Sequence, residues 1–297
     1  MRRALCLLAL GLSAAACGGA ETPVARLELE PGEARASAPG ELSLGHPEVR
    51  RATLVWEPLA TLPEDGAGRP LVFVHLLDES GAVVRTFDHP YPAPWRAGTP
   101  VEDPVELHQS ALAPPLPAGR YRLTVGLYGR GGERYPLAAI GEEVGRREYA
   151  LATLTAVEPG AGLPAIEPAG DWLPVEPGTD RQVLASRWLA GAGELVIAGA
   201  AAPGALWLRL QVPVADAANR LELAEGASEQ EVRLATPCGG AMVLVTGPGD
   251  HELELPVEPG GLDSGCPVEL SANYHLVGPD GVERRVVRLD AAAWRRR

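Results

Sequence analysis

The chain has 297 residues, with 35 Gly, 29 Pro and a hydrophobic fraction of 46%. It is too apolar for a disordered polymer and suits short strands joined by many turns. A net charge of −13 repels phosphate backbones, so nucleic acid is not an expected partner. All basic residues are Arg and none is Lys, which reads as the coding bias of a GC-rich genome.

The first seventeen residues set the frame. Arg2 and Arg3 form a basic start, Ala4 to Leu12 is apolar but too short to span a bilayer, and Ser13-Ala14-Ala15-Ala16 supplies small residues for a processing peptidase. The sequence Ala-Ala-Ala-Cys ending at Cys17 resembles the lipobox of bacterial lipoproteins, with Ala14 where leucine is usual. The resemblance implies cleavage before Cys17 and acylation of its sulfur, so the expected membrane contact is through N-terminal lipid. Several acyl chains at about 0.8 kcal/mol per buried methylene anchor stably. Residue 18 is Gly, not the Asp that marks inner-membrane retention in many such proteins. The resemblance therefore implies a cell-envelope protein of the outer membrane. The alternative is an ordinary secretory leader with a chance cysteine.

Residues 18–24 read as a short tether. In 25–157, apolar residues alternate with polar ones in short runs: Leu27 and Leu29; Ala52, Leu54 and Trp56; Tyr121, Leu123, Val125 and Leu127. A period of two predicts strands with one buried face. Leu71 to Leu77 is apolar on both faces and reads as a central strand. Turns at Glu79-Ser80-Gly81 and Gly131-Gly132 predict hairpins, and Ala150 to Val157 reads as the last strand of this half. About seven strands predict an immunoglobulin-like sandwich. RATLVWEPL (51–59), LVFVHLLDESGAVVRTFDHPYPAPWRAG (71–98) and PAGRYRLTVGLYGRGGERYPL (117–137) resemble an accessory β-sandwich of bacterial membrane glycosyltransferases. The resemblance implies a fold and an envelope or glycan setting. It implies no catalysis, because the membrane-spanning transferase is not in this sequence.

Residues 158–169 are Pro/Gly-rich without a period and read as an interdomain linker. The second half, 170–297, has strand patterns at 194–198, 206–214, 221–223, 231–235, 242–245, 252–257, 268–277 and 283–289, with a hairpin turn at Asp280-Gly281. These predict a second sandwich of jelly-roll type. Trp172, Arg187-Trp188, the Leu-Ser-Ala-Asn-Tyr run and Arg284 to Leu289 are similar to another C-terminal β module of the same glycosyltransferases. The expected fold class is therefore all-β: two β-sandwich domains after a lipoprotein signal peptide. Arg295-Arg296-Arg297 reads as a solvated, frayed end.

Of four cysteines, Cys6 leaves with the leader and Cys17 takes the lipid. Cys238 and Cys266 remain to pair in an oxidising compartment. Neither has His or Cys nearby at ligand spacing, so no metal is expected. No cofactor is expected either. Gly-x-Ser-x-Gly is absent, His251-Glu252 lacks its second His, and no phosphate-binding glycine loop occurs. No catalytic residue is assigned and the chain is not expected to be an enzyme.

Two constellations stand out. His75, Asp88, His89 and Trp95 fall at one hairpin. A His hydrogen-bonded to Asp88 or backbone outweighs a metal or sugar site there, because two His and one acid make a thin ligand set. In the second half Leu206, Leu208, Leu210 and Val212 take one side of a strand, leaving Trp207, Arg209 and Gln211 on the other. Asn273 and His275 are possible neighbours on another strand. A Trp among planar polar groups suits a sugar ring; the competing reading covers Trp207 with a loop or with the first domain. The leading expectation is a non-catalytic envelope lipoprotein that binds or organises glycan through its sandwiches. The alternative is a protein-interaction or assembly lipoprotein with no glycan ligand.

Replacing Cys17 with Ser removes the acyl acceptor. The expected result is release into the soluble fraction or an unprocessed precursor, read by fractionation and intact mass. A normally processed, membrane-bound Cys17→Ser protein refutes the lipobox reading.

Overall fold

The computed structural model describes residues 25–31, 41–62, 70–129, 131–138, 141–158, 162–178, 182–216, 219–258, 265–278 and 284–297. The leader, Cys17, the tether and the Asp280-Gly281 turn lie outside them. The described residues form strands and no helix, so the all-β expectation holds.

In the first half, Ala25–Pro31, Val49–Pro58 and Val101–His108 form one antiparallel sheet. The second sheet runs Glu143–Gly145, Glu148–Ala156, Gly119–Tyr128, Leu71–Leu77, Val83–Thr86. Glu41–Leu44 joins it as a parallel partner of Glu148–Ala156. The alternating faces of both sheets meet over one core, with Trp56, Val72, Leu76, Tyr91 and Leu127 at 0% exposure. Each such side chain contributes about 1.5–3 kcal/mol by leaving water. At the start of Gly119–Tyr128, the Tyr121 hydroxyl donates to the Pro117 carbonyl at 2.8 Å and pins the chain where it enters the sheet.

The second half is organised around one long strand, Ala185–Ala198. Its beginning pairs with Arg288–Arg296, and its end pairs with Cys266–Ala272 and Ala165–Trp172. The strand thus leaves one sheet and enters another. On the first side, Arg288–Arg296, Gly204–Val212 and Gly249–Val257 follow; on the other, Cys266–Ala272, Glu231–Ala235 and Met242–Thr246. The change of partner falls at Gly191 to Gly193, opposite the bulge between Gly170 and Trp172. A methyl group on Gly193 would lie 2.6 Å from Leu189 Cδ1 and 2.7 Å from Trp172 Nε1. Only glycine lets the strand and the Trp172 indole approach so closely. A separate core of Leu189, Leu195, Ile197, Leu208, Val232 and Leu255, all fully buried, fills this half.

The structure revises three expectations. The linker is shorter than 158–169, because 165–169 already belong to the strand Ala165–Trp172; as an edge strand it tolerates Pro168. The run 268–277 is not one strand but Cys266–Ala272 and Tyr274–Val277, broken at Asn273. Of the C-terminal arginines, Arg295 and Arg296 are not frayed: both pair with Gly204–Val212 inside the strand Arg288–Arg296, and Arg295 is 12% exposed, while Arg297 lies past the strand and is exposed. The Cys238–Cys266 disulfide is formed, with Cα atoms 6.2 Å apart and a sequence separation of 28. A loop of that length gives about 3–4 kcal/mol in the chain-entropy account.

Gly193→Ala should destabilise the second half by about 1–3 kcal/mol through overpacking against Trp172 and Leu189. Denaturant unfolding measures this. An unchanged midpoint would show that the bend has room for a side chain.

A candidate site at the seam of the two halves

The two halves meet along the last strand. Ala111 N donates to Ala292 O at 2.8 Å, Ala292 N to Ser110 Oγ at 3.2 Å, and Trp294 N to Pro47 O at 3.1 Å. Charges flank these bonds. Arg295 Nη2 lies 2.6 Å from Glu106 Oε2 in the first half, and its Nε lies 2.6 Å from Glu254 Oε1 in the second. Arg296 Nε reaches the buried Glu48 Oε1 at 3.2 Å. Val49, Trp207, Ala291 and Ala293 form a small apolar cluster in the middle.

Trp207 does point away from the leucines of its strand, as the alternation requires. It is nevertheless 2% exposed. Its ring faces His108 of the first half, centroids 4.8 Å apart, so the first half covers it and its faces are not open to a sugar. Arg209, two residues on, is 23% exposed and lies 3.6 Å from Glu252. Gln211 is half-buried further along the strand. Asn273 and His275 are not brought to this face. Asn273 Oδ1 accepts from Glu231 N at 2.8 Å and its Nδ2 donates to Glu229 O at 3.1 Å, holding the break between two strands. His275 pairs with Glu222 at 3.1 Å in a small separate sheet.

Beside Trp207 the seam opens into a cleft of about 160 Å³. Its walls include Asp88, His89, Glu106 and His108 from the first half, and Gln182, Arg209 and Glu252 from the second. Gln182 Nε2 donates to the Asp88 carbonyl at 2.8 Å and closes one end. His89 Nε2 sits 3.0 Å from both oxygens of Asp103, which also accepts from Trp56 Nε1 at 3.0 Å. Burial opposes charge on His89, but the hydrogen bond and charge of Asp103 prevail and raise its pKa. His108 is the opposite case: burial pushes it down to about 4, the Glu106 carbonyl bond opposing and the Arg209 charge assisting. It is therefore neutral at ordinary pH. Glu252 is raised, first by burial; Arg209 counteracts and Glu106 adds to the rise.

The other sequence candidate, His75, lies on the outer face of the first half. Its Nδ1 is 3.1 Å from Glu148 Oε1 and its Nε2 is 3.5 Å from Asp88 Oδ1. Thr124 Oγ1 donates to Glu148 at 2.6 Å, and Arg134 lies over the Phe73 ring beside it. Burial works against the charged imidazole, yet the bonds and charges of Asp88 and Glu148 raise its pKa to about 9. This is an internal ion network. Among the described residues no group of three or more His, Cys, Asp or Glu is arranged to hold a metal. Trp95 donates its indole N–H to the Ala60 carbonyl at 2.7 Å and packs on Tyr91. No sequence pattern marks Glu252, Gln182 or His108 as neighbours of Arg209. The strand pattern of 252–257 placed Glu252 on a strand but could not name its neighbour.

No family model matches the chain, and no curated protein matches it. Solved structures that it is similar to include one described as pT26-6p (10% identity, TM-score 0.23, covering 85% of this chain and 61% of that one). Another is the M60 catalytic domain with the CBM51-1 and CBM51-2 domains from Clostridium perfringens ZmpB (9% identity, TM-score 0.25, 83% of this chain and 34% of that one). The chain thus spans less than two thirds of either, and at these scores the likeness carries no argument.

The raised His75 pKa gives a pH signature. Its contribution is complete below the unfolded-state value of 6.5 and is lost as pH rises through about 9. Melting temperature should therefore fall across that window, and His75→Gln should flatten the fall. A wild-type profile with no decline there contradicts a charged His75.

Proposed function

We propose that the protein is a non-catalytic, membrane-anchored envelope lipoprotein that binds cell-envelope glycan in the cleft between its halves. The observation that carries this is the cleft itself: an open space of about 160 Å³ lined mainly by residues with hydrogen-bonding side chains, contributed by both halves. Clefts at such junctions are common ligand sites, and a polyhydroxylated ligand suits Arg209, Gln182, Glu252 and Asp88 better than an apolar one. Trp207 supports the site from below by holding His108 in place and does not stack on ligand. In this reading the first half is an immunoglobulin-like sandwich, supported by the parallel Glu41–Leu44 pairing and the Tyr121 tie, and the second is jelly-roll-like. The leader supports the lipid anchor and the outer-membrane location.

One observation favours the second reading, a protein-interaction or assembly lipoprotein. Met242–Thr246 is an edge strand whose outward residues Met242 and Leu244 are 59% and 48% exposed. An uncharged edge of this kind can accept a further strand from a partner.

Glycan-array or polysaccharide pull-down binding tests the first reading. Arg209→Ala removes charge-assisted hydrogen bonds worth about 1.5–3 kcal/mol, so affinity should fall about tenfold or more. Full binding by Arg209→Ala would move the site elsewhere. No glycan binding, together with a partner crosslinked at Met242 in membranes, would favour the second reading.

A further inference from the structure

We infer that the seam cleft takes an amino sugar whose nitrogen is unacetylated and positively charged. The inference rests on the glycan reading above and narrows its ligand class.

The first support is His108. Its Nδ1 lies 3.0 Å from the Glu106 carbonyl oxygen, which can only accept, so Nδ1 carries the proton. The neutral ring then has a lone pair on Nε2, and that nitrogen has no hydrogen-bond partner among the described residues. The side chain is 8% exposed, lines the cleft, and is held edge-on to Phe87 at 5.4 Å and against Trp207 at 4.8 Å. These two contacts fix the ring, and its unpartnered nitrogen at the wall of an open space can accept a hydrogen bond from a ligand donor. Its low pKa keeps the lone pair available down to about pH 4.

The second support is charge. Of the cleft-lining groups, Asp88, Glu106 and Glu252 are carboxylates, against the cation Arg209 and the Asp103-paired His89. Glu106 is already held by Arg51 and Arg295, and Asp88 faces His75. Glu252 has one ion-pair partner among the described residues, Arg209 at 3.6 Å; the more distant His89 and Arg51 charges assist, and the Glu106 charge works against it. The cleft lining therefore carries more carboxylates than cations and, in His108, an acceptor. An ammonium group on a sugar ring answers both, while the ring hydroxyls meet Arg209 and Gln182. An acetamide supplies no charge, and a uronate adds a further negative one.

Calorimetric titration of the full ectodomain at mildly acidic pH, where sugar amines are charged, tests this. Glucosamine oligomers, N-acetylglucosamine oligomers, oligogalacturonate and a lysine-rich peptide serve as probes. Glucosamine oligomers should bind about tenfold or more tighter than the acetylated series. Glu252→Gln should erase that difference. Glu269→Gln, an equal charge change on the exposed face of Cys266–Ala272, should keep it and so separates cleft chemistry from the general acidity of the protein. His108→Phe, which keeps the packing on Trp207, should weaken glucosamine binding at an unchanged melting temperature. Equal binding of both sugar series, or tighter binding of the uronate, overturns the ligand class and leaves the glycan cleft standing. Binding of no sugar overturns both. Peptide binding as tight as glucosamine, and lost in Glu252→Gln, overturns the inference in favour of a protein partner.

Discussion

Arg295 is the contact on which the arrangement of the two halves depends. One guanidinium reaches Glu106 of the first half and Glu254 of the second, each at 2.6 Å, with 12% of its side chain exposed. Buried ion pairs return little net energy, because desolvation offsets the attraction, but loss of one partner leaves an uncompensated charge and is costly. The clamp therefore fixes how the halves dock more than how strongly. Strength comes from its neighbours. Trp207 buries a large ring there, worth about 1.5–3 kcal/mol. Three seam hydrogen bonds add about 1 kcal/mol each. In a chain of net charge −13, two acidic sandwiches would repel one another. The arginines of the last strand lie where that repulsion has to be cancelled.

The cleft follows from this docking. Residues Trp207 and Arg209 are on the same face of one strand, about 7 Å apart along it. At Trp207 the halves touch; at Arg209 they have parted enough to leave open space. The same alternation that drives leucines into the core thus places the seal and the lip of the cleft on successive outward positions. His108 belongs to both. It packs on Trp207 as part of the seal and also lines the opening.

Strands with a plain pattern were legible in the sequence, such as Leu71–Leu77, apolar on both faces, and the alternating Gly204–Val212, and so was the disulfide. Two strands that build the seam, Val101–His108 and Arg288–Arg296, were not, nor was Ala165–Trp172 in the second half. Val101–His108 carries Pro104 and places the charged Asp103 at an inward, 1% exposed position, where it serves Trp56 and His89. A buried acid in a short apolar pattern reads as a loop, since its partners are far away in sequence. Arg288–Arg296 carries Asp290-Ala291-Ala292-Ala293, a run with no period of two and weak strand preference. Its alanines are there for lack of bulk: they let Ser110 and Ala111 of the first half approach the backbone. Ala165–Trp172 was hidden by the prolines and glycines that marked it as linker. The outward direction of Trp207 was readable, but its cover was not, because period-two patterning reports which side faces the core and says nothing of what lies on the other side.

The edge strand Gly249–Val257 ties clamp and cleft together. Its exposed positions are Asp250, Glu252 and Glu254, a row of acids two residues apart. Charge along an unpaired edge discourages another strand from adding there, unlike the uncharged Met242–Thr246 edge of the other sheet in this half. The row also has local duties. Glu254 holds Arg295, and Glu252 holds Arg209 at the cleft. These acids stand about 7 Å from one another, within a Debye length at physiological salt, so the charge state of one is felt by the next. Neutralising Glu254 would loosen the clamp and also relieve Glu252 of a neighbouring negative charge. Clamp and cleft are therefore coupled, and substitutions at 252 and 254 should not be additive.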